Sequence, residues 1–149
     1  MSRSHELSAG AQRSGDLLAA QLACTDVINA FAYYVDNGMA GQAVELFTDD
    51  GELGPPERSV KGRQNLEKAL AARESDADRR TRHLVTNIVF ERLGTEDARA
   101  QSVQSFYLLG GADQLTARSI TVLDDEFARG DDGRWRISRR LLTTLAGGR

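Results

Sequence analysis

The sequence has little with which to crosslink, kink or metallate itself. Among 149 residues there is one cysteine, Cys24, so no disulfide can form within the chain. It falls between Leu22 and Ile28 in a helical pattern, where a small apolar side chain serves as core filler. The two histidines, His5 and His83, and Cys24 match no metal-site spacing. No glycine-rich loop joins a strand to a helix as phosphate binding requires, and no nucleophile elbow is present, so no cofactor is indicated. No apolar run approaches the roughly 20 residues that span a bilayer, and the first residues lack the apolar middle of a secretory signal. A soluble, cytoplasmic protein is the expectation. Positive charge is not in excess either. Nineteen Lys and Arg against 22 Asp and Glu give a net charge of -3, which works against a polyanion, so nucleic acid is not an expected partner.

What is present is an ordinary globular composition, 40% hydrophobic and 28% charged, of a length that fits one domain. Residues 1–15 are polar and without a sustained period, and read as a frayed tail that contains His5; residues 16–149 form the domain. From Asp16, the residues Cys24, Ile28, Phe31 and Val35 recur at spacings of three and four, predicting a helix to about Asp36 that Asn37-Gly38 stops. A short helix over about 40–47 and a brief strand near Glu52 and Leu53 follow. The adjacent prolines, Pro55 and Pro56, break the chain before a third helix that carries Leu66, Ala69 and Leu70 on one side.

After a polar linker the period changes to two. Long strands are predicted over about 81–93, 98–109, 114–129 and 134–144, joined by glycine- and aspartate-rich turns that force antiparallel neighbours. Helices first and strands afterwards make an α+β fold rather than alternating βαβ units. Strands this long accumulate twist, so the sheet is expected to curve strongly, and the N-terminal helices packed on it close a cone around a pocket.

Along the first long strand, His83, Val85, Asn87 and Val89 share one predicted face, mixing hydrogen-bonding and apolar side chains as small-molecule pockets do. An imidazole exchanges protons near neutral pH, which makes His83 the candidate acid–base residue. A structural or exposed strand histidine satisfies the same spacing. Asp36 ends the first helix, where the macrodipole disfavours an acid, and a helix lying across the cone would aim it at His83. A turn role for Asp36 also fits. Arg139 and Arg140, like Arg79, Arg80 and Arg82, read as solvated basic clusters.

The segments FAYYVDNG over 31–38, LFTDDG over 46–51, TRHLVTN over 81–87 and DGRW over 132–135 resemble, in this order, the SnoaL-like proteins of the nuclear-transport-factor-2-like superfamily. The resemblance covers about residues 16–145. It implies a cone of helices on a curved sheet, and activities that include scytalone and bile-acid 7α-dehydratases, ketosteroid isomerase, polyketide cyclases and dioxygenase small subunits. By resemblance, Asp36 and His83 correspond to the aspartate and histidine that both dehydratases keep. By the same resemblance, Phe31 stands where the bile-acid enzyme has tyrosine, the second histidine of the scytalone enzyme would lie near Leu108, where this chain has none, and the base of ketosteroid isomerase aligns near Pro55, which cannot act as one.

Two expectations follow. One is a cofactor-independent lyase or isomerase working by His-Asp acid–base chemistry on a small hydrophobic ring compound. In it His83 and Asp36 are catalytic, and Phe31, Tyr34, Asn87 and Tyr107 contact the substrate. The other is a non-catalytic binding or assembly subunit resembling the dioxygenase small subunit. A homodimer or homotrimer is expected on either.

Overall fold

Two helices and four long strands carry the architecture in the computed structural model, which describes residues 2–111 and 114–148, with side chains from residue 9 onward. Helix α1 spans Ser2–Asp36, so it begins well before the expected start at Asp16. The segment 2–15 contains no proline and several good helix formers, and apolar periodicity reports a buried face rather than helicity itself. Residues 9–16 of α1 are exposed, which is why they show no stripe. His5 lies outside the residues whose side chains are described.

Farther along, Ala20, Cys24, Ile28 and Val35 are buried against the sheet, as their spacing requires. Burial, reinforced by the negative charge of Asp125, pushes the Cys24 thiol up to about 12, consistent with an inert filler. The helix ends in a Schellman-type turn. The amide of Met39 donates to the carbonyl of Tyr34 at 2.9 Å while Gly38 takes φ +73°, a left-handed value that glycine adopts without penalty.

A 3₁₀ turn over Ala40–Leu46 leads into β1 (Phe47–Gly54), and β2 (Val60–Lys61) precedes helix α2 (Arg63–Ser75). Leu66 and Leu70 anchor α2 in the core, whereas Ala69 is exposed at the edge of the cavity described below. The long strands are β3 (Thr81–Leu93), β4 (Asp97–Leu109), β5 (Leu115–Arg129) and β6 (Trp135–Gly147). The sheet order is β2-β1-β6-β5-β4-β3, antiparallel throughout except that β1 runs parallel to β6. The curved sheet stays open rather than closing into a barrel.

Register shifts interrupt the long strands, and two of them decide which residues face the cone near the site. In β3 the pairing shifts between Thr86 and Val89, and Asn87 sits at φ +55°. Asparagine tolerates that left-handed conformation better than most residues, and the extra residue forms a bulge that flips the alternation. His83 and Val85 therefore share the inner face with Ile88 and Phe90, while Leu84 and Val89 are 54% and 61% exposed. In β6, Arg139 pairs with Glu126 and Ile137 with Phe127, leaving Ser138 as the extra residue. Ile137 and Arg140 consequently both point inward and are buried.

Candidate active site

The end of α1 meets the edge of the sheet at Asp36. Strand β3 is an edge strand, and its outward backbone groups need partners. Asp36 supplies one: its Oδ2 accepts the backbone N–H of His83 at 2.7 Å. Its Oδ1 lies 2.6 Å from Nδ1 of the same histidine and accepts the hydroxyl of the fully buried Thr81 at 2.8 Å. The Thr81 oxygen in turn accepts a bond from Arg73 at 3.0 Å. Arg82 donates to the Asp36 carbonyl at 2.9 Å, placing a cation at the negative end of the helix.

Burial opposes the charge of Asp36. The bonds from the His83 ring, the His83 amide and the Thr81 hydroxyl outweigh it, holding the carboxyl below its ordinary range. An ionised Asp36 fixes the Nδ1–H tautomer of His83, leaving the Nε2 lone pair for proton transfer. Cross-strand pairing sets Phe106 opposite His83, and the rings stack with centroids 4.8 Å apart and planes 16° from parallel. This packing and the bond to Asp36 lock the imidazole.

His83 forms part of the wall of a two-lobed cavity under the helices. The inner lobe, about 260 Å³, is lined by apolar residues including Phe31, Val35, Leu53 and Leu123. The outer lobe, about 450 Å³, is bounded by Phe106, Leu108, Thr121 and Thr144. Arg79, His83, Gln104 and Leu142 belong to both lobes, so the imidazole stands where they meet. The inner lobe offers an apolar wall to a small ring, while the outer lobe mixes polar and charged side chains with Phe106, Leu108 and Leu142. Behind the histidine, His83 and Asp36 also edge a shallower external groove of about 270 Å³ beside Tyr33. Among the described residues, no three His, Cys, Asp or Glu side chains converge as metal ligands do.

The inner lobe also holds a buried cation. Arg140, read from the sequence as solvated, is 1% exposed and bonds Asp125 through two contacts of 2.7 Å. The bulge in β6 turned it inward. Its guanidinium lies 4.8 Å from the centroid of Phe31. Removing one partner from such a buried pair typically costs about 3–5 kcal/mol, because the other charge is left uncompensated.

Of the residues expected at the site, Asp36, His83 and Phe31 are brought together. Asn87 is exposed on the far side of its bulge. Tyr107 is on the opposite face of β4 from Phe106 and lines neither lobe, contributing instead to a depression of about 250 Å³ beside Ile120 and Ala146. Tyr34 packs against the core and lines neither lobe. Gln104 and Phe106 were missed, although Ala98, Ala100, Ser102 and Gln104 alternate as buried residues along β4, and that rhythm places Phe106, not Tyr107, inside.

An open α+β cone, helices packed on a strongly curved and mostly antiparallel sheet, is the nuclear-transport-factor-2-like architecture. The SnoaL-like domain model matches residues 16–141, and the chain belongs to that family. No curated protein matches the chain in sequence. Among solved structures, an NTF2-like protein with a cystatin-like fold from Novosphingobium aromaticivorans superposes with a TM-score of 0.78 at 19% identity, covering 95% of this chain and 90% of that one. A "Putative Scytalone Dehydratase" from the same organism gives 0.76 at 21% identity, covering 91% and 90%. LinA gives 0.75 at 22% identity, covering 90% and 91%. At these identities the likeness is one of fold.

Proposed function

We propose that the protein is a cofactor-independent lyase or isomerase of the dehydratase or cyclase type, acting on a small hydrophobic ring compound with an activated C–H bond. The observation that carries this reading is the 2.6 Å contact of Asp36 Oδ1 with His83 Nδ1 at the junction of the cavity lobes. Nε2 of His83 takes the proton from carbon, and the electron pair moves toward the adjacent carbonyl or expels a hydroxyl. The imidazolium, paired with Asp36, then returns the proton to the departing hydroxyl, releasing water, or to another carbon, completing an isomerisation. Phe31 and Leu142 pack the ring. Kinship of fold with a protein bearing the scytalone dehydratase name supports the same class.

The test is turnover on a panel of cyclic β-hydroxy ketones, following loss of water by mass spectrometry. His83→Ala and Asp36→Asn should each lower the rate by about 10²–10⁴ while leaving the circular dichroism spectrum intact. Retained activity in both variants would defeat the mechanism.

The outer face of the sheet supports assembly into a homodimer or homotrimer. Leu84, Ser105, Ile120 and Ala146 lie in register across β3 to β6, as do Thr86, Val103, Val122 and Thr143. This β-branched and apolar surface is bounded by the ion pairs Arg99–Asp124 and Arg139–Glu126, at 2.9 and 2.8 Å. Charges of both signs at its border let a second copy meet it with opposite charges. The same face would serve a purely binding or assembly subunit, the reading that survives if no turnover is found.

A further inference from the structure

Among the described residues, the walls of the two lobes contain Arg73, Arg79, Arg118 and Arg140 and no aspartate or glutamate, in a chain whose net charge is -3. Arg140 is neutralised by Asp125. Arg73 and Arg79 are not: among the described residues, neither makes an ion pair within 4.0 Å. Arg73 also donates to the backbone carbonyl of Arg79, which ties the two residues to one corner of the cavity. Burial and the neighbouring Arg79 charge hold the Arg73 guanidinium below its usual value, against a smaller opposing influence from Asp76 and Asp36. Like charges crowded at a cavity whose described walls carry no carboxylate focus positive potential on whatever enters.

Resting on the acid–base reading above, we propose that the substrate is an anionic ring compound whose carboxylate is held at the cavity mouth by Arg79, with Arg73 behind it. The spacing fits this assignment. Phe106 stacks on His83 at 4.8 Å, and the Arg79 guanidinium carbon lies 5.6 Å from the centroid of the same phenyl ring. One aromatic side chain thus touches both the proton-transfer group and the cation, and both line the same two lobes, so one small ring acid can meet both. Arg79 is exposed, and among the described residues its guanidinium contacts only the Phe106 ring, so it is available to a ligand. The planar guanidinium fork matches a carboxylate in two parallel hydrogen bonds.

Calorimetric titration of the full chain with 2-naphthylacetate and its neutral analogue 2-naphthylacetamide tests the assignment. The acid should bind at least about tenfold more tightly than the amide at low ionic strength, with the advantage shrinking as salt screens the exposed cation. Arg79→Gln should remove the advantage without weakening the amide, and Arg79→Glu should reverse it. His83→Ala should keep it, because the mouth and the proton-transfer group are separate. Equal affinities, binding of neither probe, or a preference that survives Arg79→Gln or is lost in His83→Ala would overturn the proposal. Failure of the acid–base reading looks different: charge preference intact, but no loss of turnover in His83→Ala or Asp36→Asn.

Discussion

A carboxylate on the last residue of a helix faces the negative end of the macrodipole, and Asp36 is nonetheless held in its charged form. Three hydrogen bonds, from the His83 ring, the His83 amide and the Thr81 hydroxyl, supply the compensation. One side chain therefore caps an edge-strand amide, fixes an imidazole tautomer and joins α1 to β3. Because its folded pKa lies below the ordinary value of 3.8, Asp36 contributes stability that is present above that value and is lost as pH falls through the folded one. Asp36→Asn should accordingly be less stable than the wild type near neutral pH. The gap should narrow as acid protonates the wild-type carboxyl, below about pH 4. Urea denaturation of both proteins across the acid range measures this, and a gap that widens in acid would contradict the assigned state. The sequence alone showed Asp36 as an acid in an unfavourable place. It did not show Thr81 or Arg73 behind it, since a hydroxyl and a guanidinium carry no periodic signal.

At the level of elements, period and turn chemistry were enough to lay out the molecule. The four long strands fall within a few residues of their expected bounds, because each hairpin carries glycine and aspartate at its turn and each strand alternates. What period two could not carry was parity across a bulge. Counting by twos from His83 puts Asn87 and Val89 inside; the bulge at Asn87 instead turns Ile88 and Phe90 inward. The same failure hid Arg140, which counting by twos from Ile137 places outside, until Ser138 is seen as the extra residue. One signal was available. Thr121, Leu123, Asp125 and Phe127 form an unbroken inward run on β5, and an aspartate in such a run needs a buried cation. The bulge itself is open to experiment. A β-branched side chain at φ +55° is strained by about 1–2 kcal/mol, so Asn87→Val should lower stability by that amount, whereas Asn87→Gly should stay within about 0.5 kcal/mol. Urea midpoints read both values. Affinity for 2-naphthylacetate should not change in either variant, since Asn87 lies outside the cavity; a Val variant as stable as the wild type would argue against the bulge.

The whole molecule is a sheet with two unlike faces, one sealed by helices and one bare. On the sealed side, the apolar core and the cavity share the same strands, so the site stands on elements that hydrogen bonding makes rigid. On the bare side, Leu84, Val89 and Ile120 remain exposed at 54%, 61% and 39%. Sheet faces of this kind pack at about 10 Å with interleaved side chains, and a two-fold axis needs only one self-complementary patch. Light scattering at micromolar concentration should therefore give two or three times the chain mass of 16.3 kDa. Leu84 and Ile120 both stand opposite Ser105, one on each neighbouring strand, at the centre of that face. Leu84→Asp combined with Ile120→Asp would bury like charges against each other in the assembly, yet leave them solvated on a free chain. The double variant should scatter as a 16.3 kDa monomer with an unchanged circular dichroism spectrum and unchanged binding of 2-naphthylacetate, because neither side chain reaches the cavity. A wild type already monomeric at that concentration, or a double variant that stays assembled, would move the interface off this face.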